Sequence, residues 1–145
     1  MNQHISLSTE ETMKISENLA KQFSRNLVLL NGSMGAGKTV FTKGFAAGLG
    51  IKQNVSSPTY TIMNEYRSQD KVLYHLDLYR INGLEEVIDT GLYEILESNF
   101  PCLVEWAERV EELKKLPHVE VNITRDPGKD ENYRKITWEW IGEKR

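Results

Sequence analysis

Residues 26–49, NLVLLNGSMGAGKTVFTKGFAAGL, decide how the rest of the chain is read. The apolar run Leu27-Val28-Leu29-Leu30 has the length and bounds of a buried strand. Gly32-Ser33-Met34-Gly35-Ala36-Gly37-Lys38-Thr39 follows and satisfies G-x-x-x-x-G-K-[ST]. Behind it Phe41, Phe45, Ala46 and Leu49 recur at helical spacing, and Gly50 is placed to stop the helix. Gly32, Gly35 and Gly37 permit positive-φ turns in which successive N–H groups point at one phosphate chain. The helix starting near Gly37 adds the positive end of its dipole. Lys38 has the reach for the β and γ phosphates, and the Thr39 hydroxyl suits a Mg²⁺ shell. A glycine-rich turn that binds nothing is the plain alternative, and the full motif between strand and helix outweighs it. A nucleoside triphosphate with Mg²⁺ is the expected ligand, cradled by Gly32 through Thr39.

The totals bound the rest. With 145 residues, 39% hydrophobic and 27% charged, the chain has the size and composition of one globular domain with a real core. A formal charge of -3 argues against a broad basic face that holds nucleic acid unaided. One cysteine, Cys102, rules out an intramolecular disulfide, which suits a reducing cytosol. No signal-like or membrane-length apolar segment is present, so a cytoplasmic protein without a membrane partner is expected.

Ahead of the motif, His4 to Leu7 reads as a short edge strand. Ser8-Thr9-Glu10-Glu11 fits a capping box opening a helix to Phe23, with Ile15, Leu19 and Phe23 as its apolar stripe. Beyond the motif, Ser57-Pro58-Thr59-Tyr60-Thr61 is an extended loop that leads into an antiparallel hairpin ending at Asp77. Helical patterns follow at Leu84 to Ile88 and around Tyr93 to Leu96. Cys102 to Trp106 reads as a strand, and Ala107 to Leu116 as a charged helix stopped by Pro117. Val119 to Ile123 and Ile136 to Trp140 are the last strands. The fold class is α/β: a P-loop domain over residues 1–145, its mixed parallel/antiparallel sheet flanked by helices.

A P-loop also needs an acid on a neighbouring strand. Glu105 and Asp77 each close an apolar run and so emerge at strand ends, where open α/β sheets place ligands. Glu105 is assigned to the metal with Thr39, and Asp77 to the attacking water or a switch loop. Solvated carboxylates paired with Arg80 or Arg109 are the bland alternative. Ser57 and Thr59 have hydroxyls suited to sensing a γ-phosphate, as against an ordinary X-Pro turn. Trp106 is placed either against adenine or in the core. His75 reads as a strand residue with nothing nearby to orient it, and His4 and His118 lack partners at metal spacing.

Four blocks in order, Gly35-Ala36-Gly37-Lys38-Thr39, Ser57-Pro58-Thr59-Tyr60-Thr61, His75-Leu76-Asp77-Leu78-Tyr79-Arg80 and Leu103-Val104-Glu105-Trp106-Ala107-Glu108-Arg109, resemble the bacterial TsaE (YjeE) family. The likeness runs from about Ser8 to Ile136. It implies a small ATPase needed to make threonylcarbamoyladenosine in tRNA, docking on a TsaB–TsaD heterodimer and meeting tRNA only through it. Carried over by position, Lys38, Asp77 and Glu105 are catalytic, and Thr39 with Glu105 binds Mg²⁺. Ser57 to Thr61 resembles the family's switch-like loop, Trp106 its aromatic at the site, and Arg134 a late basic residue near the nucleotide. Two departures stand out: Ser33 where the family usually has an acid after the first glycine, and Ala107 where a proline is common. Slow turnover in isolation is expected, since the motifs place no arginine finger. The rival readings are a small-molecule or nucleotide kinase, a GTPase, which lacks its N-K-x-D segment here, and a nucleotide-gated binding module with little hydrolysis.

Overall fold

The computed structural model of the chain describes residues 2–33, 35–52, 54–55 and 62–142. Met34, Ser57 and Thr59, with the rest of the Ser57 to Thr61 loop, lie outside the described residues. In chain order the first half runs β1 (Asn2–Ser6), α1 (Thr9–Gln22), β2 (Leu27–Asn31), α2 (Lys38–Gly48), β3 (Met63–Ser68) and β4 (Lys71–Asp77). The second half runs α3 (Leu84–Ile88), α4 (Leu92–Glu97), β5 (Cys102–Glu105), α5 (Glu111–Lys114), β6 (His118–Thr124) and β7 (Arg134–Ile141).

The strands form one seven-stranded sheet in the order β1-β7-β6-β2-β5-β4-β3. The central strands β6, β2, β5 and β4 are parallel, whereas β7, β1 and β3 close the edges antiparallel. This is the mixed α/β sheet that the sequence predicts. Its centre is apolar on both faces, as parallel strands covered by helices must be. Val28 and Leu30 of β2 pack with Leu19, Phe41 and Phe45 on the α1–α2 side. Leu27 and Leu29 pack with Leu76, Leu92 and Leu113 on the other.

The helix start and the helix stop expected on either side of the P-loop are both found. Ser8 caps α1 by accepting from the Glu11 N–H. The return half of the box differs, because Glu11 Oε2 accepts from the Leu7 N–H at 2.6 Å instead of from Ser8. At the far end of α2, Ile51 N–H reaches the Ala46 carbonyl and Gly50 N–H the Ala47 carbonyl, both at 3.0 Å. That pair is a Schellman cap, and Gly50 takes the left-handed conformation it requires, with φ +85°.

Two expectations need correction. The stripe Ile15, Leu19 and Phe23 does pack on the core, with Ile15 and Phe23 partly buried, but the buried face of α1 also includes Thr12, Ser16 and Ala20. The cause is how closely α2 approaches. A Cβ on Gly44 would fall 2.5 Å from the Met13 carbonyl oxygen, and one on Gly48 would fall 2.7 Å from the Glu17 Cα. Backbone contact this tight admits small residues whatever their polarity. Second, the span from Ala107 to Leu116 is not one helix. A 3-10 turn over Ala107–Arg109 is separated from α5 by Val110, whose φ of -135° and ψ of 90° are extended. Val110 leaves the helical path to bury its side chain beside Ala107 and Leu113, so burial overrides the local charge pattern.

The topology has one consequence for function. The C-terminal ends of β2, β4 and β5 lie side by side, with Leu30 opposite Glu105 and Asp77 opposite Glu105 in register.

Candidate nucleotide and metal site

Strand β2 ends at Asn31, the chain turns through the loop, and α2 begins at Lys38. Gly35 and Gly37 have φ of +77° and +102°, the left-handed region that a side chain resists, whereas Gly32, against expectation, has no positive φ and is small because a Cβ there would lie 3.0 Å from the Ile123 carbonyl oxygen. Gly37 stands at the N-cap of α2 with no side-chain cap. The first N–H groups of that helix have no intrahelical acceptor, as in every α-helix, and anions favour such helix starts. Within the loop, the Ala36 N–H donates to the Ser33 carbonyl at 3.0 Å. Asn31, Gly32, Ser33, Trp106, Asn122 and Arg125 are among the residues that line a cleft of about 910 Å³. Its size lies in the range of small-molecule pockets, and Lys38, Thr39, Asp77 and Glu105 are not among its lining residues. A smaller cleft of about 340 Å³, at the opposite end of the sheet around Tyr93, Phe100 and Trp140, contains none of the candidate residues.

Lys38 and Glu105 meet below the loop. Lys38 Nζ lies 3.8 Å from Glu105 Oε1, with 8% of Lys38 and 4% of Glu105 exposed. Burying either charge alone would be costly, so each supplies the other's compensation. The indole of Trp106 adds to this, its centroid 4.6 Å from Lys38 Nζ. Trp106 itself has φ +61°, strained for a bulky residue. That backbone turn ends β5 and lays the ring over the lysine, with Tyr79 packed at 4.9 Å and Arg109 over Tyr79 at 5.4 Å.

His75 is the residue that the sequence reading missed. It is fully buried in β4, and its Nε2 lies 2.6 Å from Glu105 Oε2. Its other ring nitrogen lies 3.4 Å from the Tyr66 hydroxyl of β3. The expectation that nothing would orient it is thus corrected. The available signal was the spacing of His75 and Asp77, two apart on one face of a strand. What hid it was the pairing of β4 with β5, which sequence does not display.

Asp77 is half-buried, and its Oδ1 accepts from the Tyr79 N–H at 3.0 Å. Burial raises its pKa above the ordinary carboxylate value. That hydrogen bond works in the opposite direction, and the nearby Glu105 charge adds to the rise.

Arg134 stands at the start of β7 against the loop, but its donors point at carbonyls. Nε donates to Ala36 O at 2.8 Å, and Nη1 donates to Glu131 O at 2.6 Å and to Tyr133 O at 2.8 Å. Nη2 is 3.5 Å from Gly35 O. It braces the loop from behind. Arg125, unremarked in the sequence reading, has a guanidinium nitrogen 3.9 Å from where a Cβ on Gly35 would stand.

Among the described residues no group of three or more His, Cys, Asp or Glu side chains is arranged to hold a metal. Mg²⁺ uses one or two protein oxygens and completes its shell with phosphates and water. The Thr39 hydroxyl, on the first turn of α2, and Glu105 Oε1 are oxygen donors of the hard type that Mg²⁺ prefers.

A family model described as threonylcarbamoyl adenosine biosynthesis protein TsaE matches residues 6–136. The chain belongs to the TsaE family. A TsaE protein of Bacillus subtilis, named for tRNA threonylcarbamoyladenosine biosynthesis, is 43% identical over 138 residues, which cover 94% of this chain and 84% of that one. The TsaE of Haemophilus influenzae is 41% identical over 97 residues, covering 67% of this chain and 61% of its own length. A crystal structure of Bacillus subtilis YdiB superposes with a TM-score of 0.78 at 35% identity, over 97% of this chain and 86% of that chain. The TsaE-family resemblance read from the four blocks is therefore established, and so is the α/β fold. No helix among the described residues is long and apolar enough to cross a membrane.

Proposed function

We propose that this TsaE-family chain binds ATP and Mg²⁺ in its P-loop and hydrolyses the ATP in support of threonylcarbamoyladenosine synthesis on tRNA. In this reading it acts in the cytoplasm on a TsaB–TsaD heterodimer and meets tRNA only through that complex. The observation that carries the reading is the buried pair of Lys38, at the head of α2, and Glu105, at the end of β5, 3.8 Å apart beneath a loop of left-handed glycines. Family membership supplies the pathway.

The chain's own residues divide the work. Loop amides and the N-terminus of α2 hold the phosphate oxygens. Lys38 turns from Glu105 to the β and γ phosphates and offsets the charge that grows there in the transition state. The Thr39 hydroxyl and Glu105 would hold Mg²⁺, which would supply positive charge to offset that of the phosphates. Ionised Asp77 orients a water for attack. As the new oxygen–phosphorus bond forms, the bond from Pγ to the ADP oxygen breaks, and the water's proton passes to Asp77. Ser57 and Thr59 are proposed to sense the γ-phosphate. Arg134 spends its donors on backbone carbonyls, which supports slow turnover in isolation.

Phosphate release from ATP is measured with and without TsaB–TsaD. The expected result is Mg²⁺-dependent release that is slow alone and faster with the partners. Equal rates in both conditions would remove partner gating from the account. ATP binding with no release in either condition would instead favour a nucleotide-gated binding module.

A further inference from the structure

We propose that His75 is a positioning residue for Glu105, dividing the carboxylate so that one oxygen stays fixed to the imidazole and the other is released to the metal; this rests on the ATPase reading above. A carboxylate oxygen only accepts, so the ring nitrogen facing Glu105 Oε2 at 2.6 Å must carry the proton. In the neutral ring, Nδ1 then accepts from the Tyr66 hydroxyl at 3.4 Å, a long contact. Tyr66 Oη in turn accepts from Asn64 Nδ2 at 3.1 Å. Donors and acceptors match all along this line, which runs from strand β3 through β4 to the end of β5.

Burial makes the line consequential. His75 is 0% and Tyr66 2% exposed, and both share the face of the sheet that holds Leu73 and Leu103. An apolar residue would satisfy the core there at lower cost, so packing alone does not ask for an imidazole. Glu105 does. Its other oxygen faces Lys38 at 3.8 Å, beyond hydrogen-bond length. When Lys38 turns to the phosphates, Oε1 loses its counter-charge at the moment a metal needs it. Oε2 remains anchored by His75, so the carboxylate neither swings away nor needs re-ordering. The anchor also ties Glu105 to β3, the strand that follows the Ser57 to Thr61 segment.

The test compares His75→Ala, His75→Gln, His75→Asn and Tyr66→Phe with the unaltered protein. Two quantities are read: ADP affinity with and without Mg²⁺, and the kcat and Mg²⁺ half-saturation of ATP hydrolysis. His75→Ala should lose about 10- to 100-fold in kcat or Mg²⁺ affinity, the range for loss of a partner that orients a metal ligand. Its Mg²⁺-free ADP affinity should stay within about twofold, because the amide cradle is untouched. His75→Gln sets an N–H near the place of Nε2 and should recover most of the loss. His75→Asn sets its amide near Nδ1 and should not. Tyr66→Phe should show a smaller loss of the same kind. The proposal is overturned if His75→Ala keeps its Mg²⁺ response, or if Gln and Asn behave alike. Should His75→Ala fail to fold, the contrast between Gln and Asn decides. An unaltered protein that binds no nucleotide would sink the P-loop reading itself, and the ADP titration shows that separately.

Discussion

Strands β4 and β5 each end in a carboxylate, Asp77 and Glu105, directly opposite one another in register. From sequence they look interchangeable, since each closes an apolar run. The fold gives them different surroundings. Glu105 is buried between an imidazole and an ammonium group, with both oxygens spoken for. Asp77 is half-buried, accepts one backbone N–H, and sits where its ionised form is disfavoured. Glu105 is held from two sides, and Asp77 is the more open of the pair. Environment assigns the roles that residue type leaves open.

Several changes would break or sharpen that contrast. Glu105→Gln should have the largest effect, cutting ATP turnover by about 10²- to 10³-fold, as loss of a preorganised charge does. It should raise the Mg²⁺ requirement at the same time, read from steady-state rates across a Mg²⁺ titration. Asp77→Asn should cost less, on the order of 10²-fold, as removal of a general base does. If Asp77→Asn proves the more damaging of the two, the assigned roles are reversed.

The pH dependence follows from the raised Asp77 pKa. Turnover should fall on acidification while still above the ordinary carboxylate range, and Asp77→Asn should abolish that limb of the profile. Stability runs the other way. A carboxyl whose folded pKa exceeds its unfolded value contributes stability below the unfolded pKa, and that contribution is lost as pH rises through the folded pKa. Asp77→Asn should therefore raise Tm slightly at pH 7 and bring no gain below about pH 4, the unfolded carboxyl value. Thermal melts at both pH values check this.

Smaller effects test the frame that brings the two strand ends together. Gly44→Ala must push α1 from α2 and should cost about 1–3 kcal/mol in chemical denaturation, as overpacking does. Ser8→Ala removes the α1 cap and should cost about 1 kcal/mol. Cys102 should stay unlabelled by thiol reagents in the folded protein, because complete burial pushes its thiol up to about 12.

The parts legible in the sequence are those fixed by local rules. The Ser8 cap, the Gly50 stop, the left-handed loop glycines and the antiparallel β3–β4 hairpin each follow from a few adjacent residues. The four ordered blocks point to the TsaE family, whose model matches residues 6–136. Hidden features depended on distant partners. His75 gained its role from a strand about thirty residues away. Arg134 lay near the loop as expected, yet carbonyls captured its guanidinium. The polar contact face of α1 was invisible because Gly44 and Gly48 determine it from another helix. Val110 broke a plausible helix because burial outweighed a charged pattern.

The most direct test of the central claim, that the loop between β2 and α2 cradles a triphosphate with its metal, is calorimetric titration of the protein with ATP, with and without Mg²⁺, beside Lys38→Ala. The account predicts one site per chain, tighter with Mg²⁺ and weakened by at least about tenfold in Lys38→Ala, since a phosphate-binding charge is lost. Binding that ignores both Mg²⁺ and Lys38, or no binding at all, would contradict it.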